Sequence, residues 1–171
     1  PEIMEADLSS LVLDLAKWGI ADLQQLTWLT PPPQSKIDQA RKLLEELNAI
    51  ENGIITDHGH KMHNLPCHPR ISNMLIKAEE DGLLELATDI AALLEERDPL
   101  YKEAGIDIND RIEALRKYRT AAGRNRRFYR IEQVAASYRK LFGASPDNDA
   151  FDPYETGILL AYAYPERIAC A

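Results

Sequence analysis

Cysteine is scarce in this chain of 171 residues, with only Cys67 and Cys170. A disulfide framework is therefore not expected, and a reducing compartment is. Long apolar runs are missing too. The longest, around Gly157 to Tyr164, falls far short of a bilayer crossing, so no membrane partner is expected. No basic segment precedes an apolar stretch near the start, which argues against a secretory signal and for a cytoplasmic location. The chain has no glycine-rich phosphate loop, no G-x-S-x-G and no H-E-x-x-H. With no nucleophile beside a base at readable spacing, catalysis by this chain alone is not expected. It opens on proline and closes in the apolar stretch "LLAYAYPERIACA", a pattern expected of a piece cut from a longer protein.

Basic charge is also short overall: the net charge is −8 and the sequence pI about 5.0, which argues against coating nucleic acid with the whole surface. The exception is local. Residues 111–140 hold ten basic side chains against two acids, Glu113 and Glu132, a net of +8 that leaves −16 on the rest. One concentrated basic element in an acidic protein needs a reason.

What is abundant is helical periodicity, and the expected fold is mainly α. Leu8, Leu11, Val12, Leu15 and Trp18 recur at three and four residues, with Asp7 as N-cap and Gly19 as stop. A short helical turn is expected over "ADLQQLTWL", halted by Pro31-Pro32-Pro33. Ser35 is the expected cap of a second helix carrying Ile37, Ala40, Leu43, Leu44 and Leu47. The period then changes: "AIENGIIT" sets Asn52-Gly53 between short isoleucine-rich runs, the signal of a type I′ hairpin. Helices followed by a small hairpin read as a winged helix with the hairpin as its wing. Beyond it come a short helix capped by Thr56, then helices around Ile71–Ala78, Leu83–Leu94, Ile112–Leu115, Phe128–Phe142 and from Tyr154 onward. The expected division is a winged-helix domain over residues 1–66 and a helical bundle over 67–171.

"TDHGHKMHNLPCHP", residues Thr56–Pro69, holds all four histidines and Cys67. Zinc needs converging ligands at paired spacings. Here His60 and His63 are three apart, His68 lies beyond a proline break, and no second cluster exists in the sequence. A solvent-facing helix with Met62 and Leu65 turned inward accounts for the pattern, and no metal site is expected.

In order and spacing, "DLSSLVLDLAKWGI", "WLTPPP", "LLEELNAI", the Asn52-Gly53 turn, Gly59, Met62 and "LPCHPRI" resemble the winged-helix and helical-bundle region that follows the two motor domains of DEAH-box ATP-dependent RNA helicases. "HPRISNML", "IAALLEERDPL" and "LLAYAYPERIA" look most like the bacterial HrpB branch. The likeness is thinner between Tyr101 and Asp152. Asn48 stands where the family usually has glycine, and Thr30 where aspartate is commoner. The resemblance implies a non-catalytic accessory region that packs on the motor domains of its parent chain. There its ratchet-like bundle would close one side of a channel for single-stranded RNA or DNA. No cofactor is expected in this piece; ATP and magnesium would belong to the parent's motor.

A wall holding a phosphate backbone needs cations. The candidates for contact are Arg116, Lys117, Arg119, Arg124, Arg126, Arg127, Arg130 and Lys140, with Gln133 and Ser137 continuing the stripe opposite Ile131, Val134 and Tyr138. The competing expectation is that these cations pair with the chain's own carboxylates. Two other functions stay open, a free-standing winged-helix regulator and a protein-interaction scaffold. The helix before the wing mixes Lys36, Arg41 and Lys42 with Asp38, Glu45 and Glu46, which suits a DNA groove poorly.

Overall fold

The computed structural model describes residues 7–20, 26–27, 29–97, 107–120 and 126–167, with side chains from Phe128 onward in the last stretch. It is mainly α-helical, with one two-stranded antiparallel sheet. Among the described residues no helix is long and apolar enough to cross a membrane. Contacts divide the chain into two units, 1–76 with 162–171, and 77–161; that division falls inside a helix rather than at Pro66.

The first unit begins with α1 (Ser9–Lys17). The Asp7 carboxylate accepts the Ser9 N–H at 2.8 Å, one place outside the cap position itself, which Leu8 occupies. The helical turn expected over Ala21–Leu29 lies largely outside the described residues. Helix α2 (Gln34–Glu46) starts one residue before the expected cap, Ser35. The reason is the proline run: Pro33 is extended, with ψ 136°, and the first residue free to turn helical is Gln34. Its amide then donates to the Asp38 carboxylate at 2.8 Å.

Asn48 stops α2 in the left-handed region at φ 55°, while the Ala49 N–H returns to the Leu44 carbonyl at 2.8 Å. The hairpin follows: β1 (Ile50–Glu51) pairs with β2 (Ile54–Ile55) in the register Ile50↔Ile55. Asn52 and Gly53 sit at φ 51° and 78°, the double positive φ that a type I′ turn demands. Helix α3 (Asp57–His63) is capped as its sequence predicts, the Thr56 hydroxyl oxygen accepting the Gly59 N–H at 2.9 Å. That hydroxyl also donates to the Asn48 carbonyl at 2.6 Å. Leu8, Val12 and Leu15 meet Ile37, Leu44, Leu47, Ile50 and Met62 in one apolar core. Burial of such side chains contributes about 1.5–3 kcal/mol each.

Helix α4 (Pro69–Asp81) begins in this unit. Its Arg70 donates to the Ala163 carbonyl at 3.0 Å and to the Glu166 carboxylate at 2.9 Å, and lies 4.8 Å from the centre of the Tyr164 ring. Asn73 donates to the Tyr162 carbonyl at 2.8 Å. The hydrogen bond from Arg70 holds the Glu166 carboxyl below its ordinary pKa. The segments "HPRISNML" and "AYAYPER", ninety residues apart in the chain, are thus partners in space.

In the second unit Gly82 closes α4 at φ 72°, with the Leu83 N–H on the Ala78 carbonyl at 2.8 Å. Then come α5 (Leu84–Glu95), α6 (Ile108–Thr120) and α7 (Arg126–Phe142). Helix α8 (Pro153–Ala163) opens with the Tyr154 N–H on the Asp152 carboxylate at 2.9 Å. Helix α5 is the hub, buried along Leu86, Ala87, Ile90, Ala91 and Leu93 against Ile112 and Leu115 of α6 and Ile131 and Ala135 of α7.

Candidate nucleic-acid interface

The histidines come first, because their residue types invite a metal. The backbone N–H of Arg70 donates to His68 Nδ1 at 3.2 Å, and His68 Nε2 faces the Asp7 carboxylate at 3.0 Å. A backbone N–H only donates and a carboxylate only accepts, so the proton of His68 sits on Nε2. His63 repeats the arrangement, with Lys17 Nζ on Nδ1 at 3.0 Å and Asp14 beside Nε2 at 2.8 Å. His58 bonds the Asn73 side-chain oxygen at 2.6 Å, and His60 is exposed. These rings fasten α1 to α3 and to the start of α4. Among the described residues no three His, Cys, Asp or Glu side chains gather as they would around a metal ion.

The hydrogen bond from His68 holds the Asp7 carboxyl well below the usual carboxylate range, with the Ser9 bonds adding to it against the cost of partial burial. A carboxyl with a depressed folded pKa adds stability above its unfolded value of about 3.9, and that stability is lost as pH falls below it. Urea unfolding should therefore find Asp7→Asn less stable than the parent at pH 7, with the gap narrowing below about pH 4 and closing only as pH falls through the depressed folded value. A gap independent of pH would show that the carboxylate's charge is irrelevant.

The basic element divides sharply between inside and outside. Asp89 lies on the buried face of α5 with its side chain fully enclosed. The Nε of Arg116 reaches it at 3.2 Å, Arg119 Nη1 at 3.1 Å and Arg139 Nη1 at 3.7 Å, while Arg119 Nη2 bonds its other oxygen. Glu132 of α7 takes Arg119 Nε and Arg139 Nη2. Arg116 also stands over the Phe151 ring at 5.1 Å and donates to the Asp149 carbonyl. Burial works against the charge on Arg119, but the bonds to Asp89 and Glu132 outweigh it and hold its pKa above the ordinary value.

Arg116 and Arg119, expected at the nucleic-acid surface, are thus turned inward with side chains 5% and 6% exposed. The reason is Asp89: a buried carboxylate without cations would cost several kcal/mol. Asp89, Glu132 and Arg139 form the ionic centre that reading the sequence missed.

The outer face of α7 is different. Tyr129, Arg130, Gln133, Ala136, Ser137, Lys140 and Leu141 are exposed, and at 100° per residue they fill one continuous arc. No acid lies on that arc, because Glu132, the one acid of α7, is turned toward Arg119 and Arg139. Lys140 has no acidic partner among the described residues. Arg130 pairs with Glu96 at 2.8 Å yet keeps 78% of its side chain exposed. Lys117 of α6 is exposed beside Glu113 at 3.3 Å. Arg126 and Arg127 open α7, and their side chains lie outside the described residues, as does Arg124.

This chain has known counterparts. Residues 68–146 match the family described as "Helicase associated domain (HA2), ratchet-like". The chain is 41% identical over 96 residues to the ATP-dependent RNA helicase HrpB of Escherichia coli (strain K12), covering 56% of this chain and 12% of that protein. It is 40% identical over 95 residues to the probable ATP-dependent RNA helicase DHR2 of Saccharomyces cerevisiae (strain ATCC 204508 / S288c), covering 55% and 13%. The crystal structure of the E. coli DExH-box NTPase HrpB superposes with a TM-score of 0.75 at 30% identity, over 98% of this chain and 19% of that one.

Residues 68–146 are thus those of a helicase-associated, ratchet-like domain, and the chain as a whole is similar to the corresponding region of DEAH/RHA helicases. Within that class its likeness is to the bacterial HrpB branch. It spans between 12% and 19% of the length of these relatives.

Proposed function

We propose that this region packs on the motor domains of its parent chain and forms part of the wall of a single-stranded nucleic-acid channel. In this reading the parent acts in the cytoplasm and the motor supplies ATP and magnesium chemistry, while this region guides the strand. The outer arc of α7 carries the reading. It offers cations, an amide, a hydroxyl and an aromatic ring without one acid, in a chain whose net charge is −8. Such a surface suits a polyanion gripped without regard to sequence. Of the eight cations expected from the sequence, Lys117, Arg130 and Lys140 stand exposed; Arg126 and Arg127 remain candidates by their place at the start of α7, and Arg124 by sequence alone.

The test is charge reversal in the full-length helicase, Arg130→Glu with Lys140→Glu. Affinity for single-stranded RNA should fall, and the slope of log affinity against log salt should flatten by about 0.7 for each phosphate no longer neutralised. An unchanged slope would remove both residues from the channel. Stronger binding to duplex DNA than to RNA would favour a winged-helix regulator instead.

A further inference from the structure

We propose that Tyr129 is a base-stacking platform, so that the α7 arc recognises an unstacked base and discriminates single-stranded from duplex nucleic acid. The proposal rests on the channel reading and names what that surface would read beyond phosphate charge. Helix α7 has four aromatic residues, Phe128, Tyr129, Tyr138 and Phe142. Phe128 is buried and stacks on Tyr118 with ring centres 6.0 Å apart. Tyr138 is buried with its hydroxyl on the Glu95 carboxylate at 2.6 Å. Both contribute to the packing of the bundle. Tyr129 faces the other way and is 57% exposed.

An aromatic ring left in water gives little to folding, yet this one is held. Gln133, one turn along, donates its amide to the Tyr129 hydroxyl at 2.8 Å. The bond restrains the ring at the helix surface and leaves less freedom to lose when a flat partner arrives. The surroundings fit a nucleotide rather than an apolar protein face. Arg130 is the next residue on the arc, and Lys140, eleven residues on, lies about 16 Å further along the axis. Ring and cations together match how single strands are held, with bases on aromatic faces and phosphates on lysine and arginine. A duplex presents its phosphates to the same cations but keeps its bases stacked on one another. The ring therefore adds affinity only for an open strand, and adds it without counterion release.

The salt dependence separates the two contributions. In the full-length helicase, Tyr129→Ala should weaken binding of a short oligouridylate by about tenfold while leaving its salt slope and the binding of an RNA duplex unchanged. Tyr129→Phe should keep most of the affinity, because the ring does the stacking and only the restraint from Gln133 is lost. Tyr129 is exposed, so both variants should melt with the parent. Parental affinity in Tyr129→Ala overturns the proposal, as does an equal loss on duplex or an equal loss in Tyr129→Phe. Failure of the channel reading looks different: there the Arg130 and Lys140 reversals leave the salt slope unmoved, whatever Tyr129 does.

Discussion

Asp89→Ala is expected to destabilise the second unit by about 3–5 kcal/mol, the usual cost of removing one partner from a buried ionic cluster. Three guanidinium groups on two helices converge on this one carboxylate, which is completely enclosed. Without it Arg116, Arg119 and Arg139 would face one another with side chains 5%, 6% and 6% exposed, and the carboxylates left to them would be Glu132 and the more exposed Asp147, 3.6 Å from Arg116. Their repulsion would act across α5, α6 and α7 together. Glu132→Gln should cost less, because that carboxylate is 23% exposed and water can replace part of its role. Hydrogen exchange at the α5 amides, followed with urea unfolding, provides the measurement. A loss under about 1 kcal/mol would mean that the cluster contributes little beyond its own desolvation.

Gly59→Ala should be the most damaging single-methyl change in the first unit, at about 3 kcal/mol or more. A Cβ at that position would lie 2.0 Å from the Ala49 carbonyl oxygen and 2.8 Å from Ile55 Cγ1. The oxygen is backbone and already fixed, since it accepts the Thr56 N–H at 3.0 Å. Neither atom can swing aside as the end of a flexible side chain would. Making room requires α3 to move off the hairpin, and that weakens the Thr56 cap, whose acceptor oxygen binds the Gly59 N–H. Thermal unfolding should show a clear drop in midpoint. A parental midpoint would mean that the hairpin yields at little cost.

The positions of the helices and of the hairpin were legible because their causes are local. Asn52-Gly53 set the turn and Thr56 set the start of α3, each through residues within a few places of itself. Ser35 misled because the prolines before it already fixed where a helix could begin. The partners of the histidine stretch, Asp7, Asp14 and Asn73, were not legible, because they come from elements brought close only by folding.

The arginines were half legible. Arg116 and Arg119 follow Ile112 and Leu115 at helical spacing, on the same stripe as the apolar core of α6. Asp89 sits between Leu86, Ile90 and Leu93, and Glu132 and Arg139 between Ile131, Ala135 and Tyr138. Charges placed on apolar stripes were the signal that these groups are partnered inside rather than offered to a ligand.

The sequence by itself determined the mainly helical architecture, the wing and the concentration of basic charge, because periodicity, turn chemistry and composition act over a few residues. Only the tertiary structure decided which of those cations face outward. That choice depends on Asp89, which stands 27 residues from Arg116 and 30 from Arg119. A carboxylate enclosed by packing draws its counter-charges in with it, and the surface keeps the remainder.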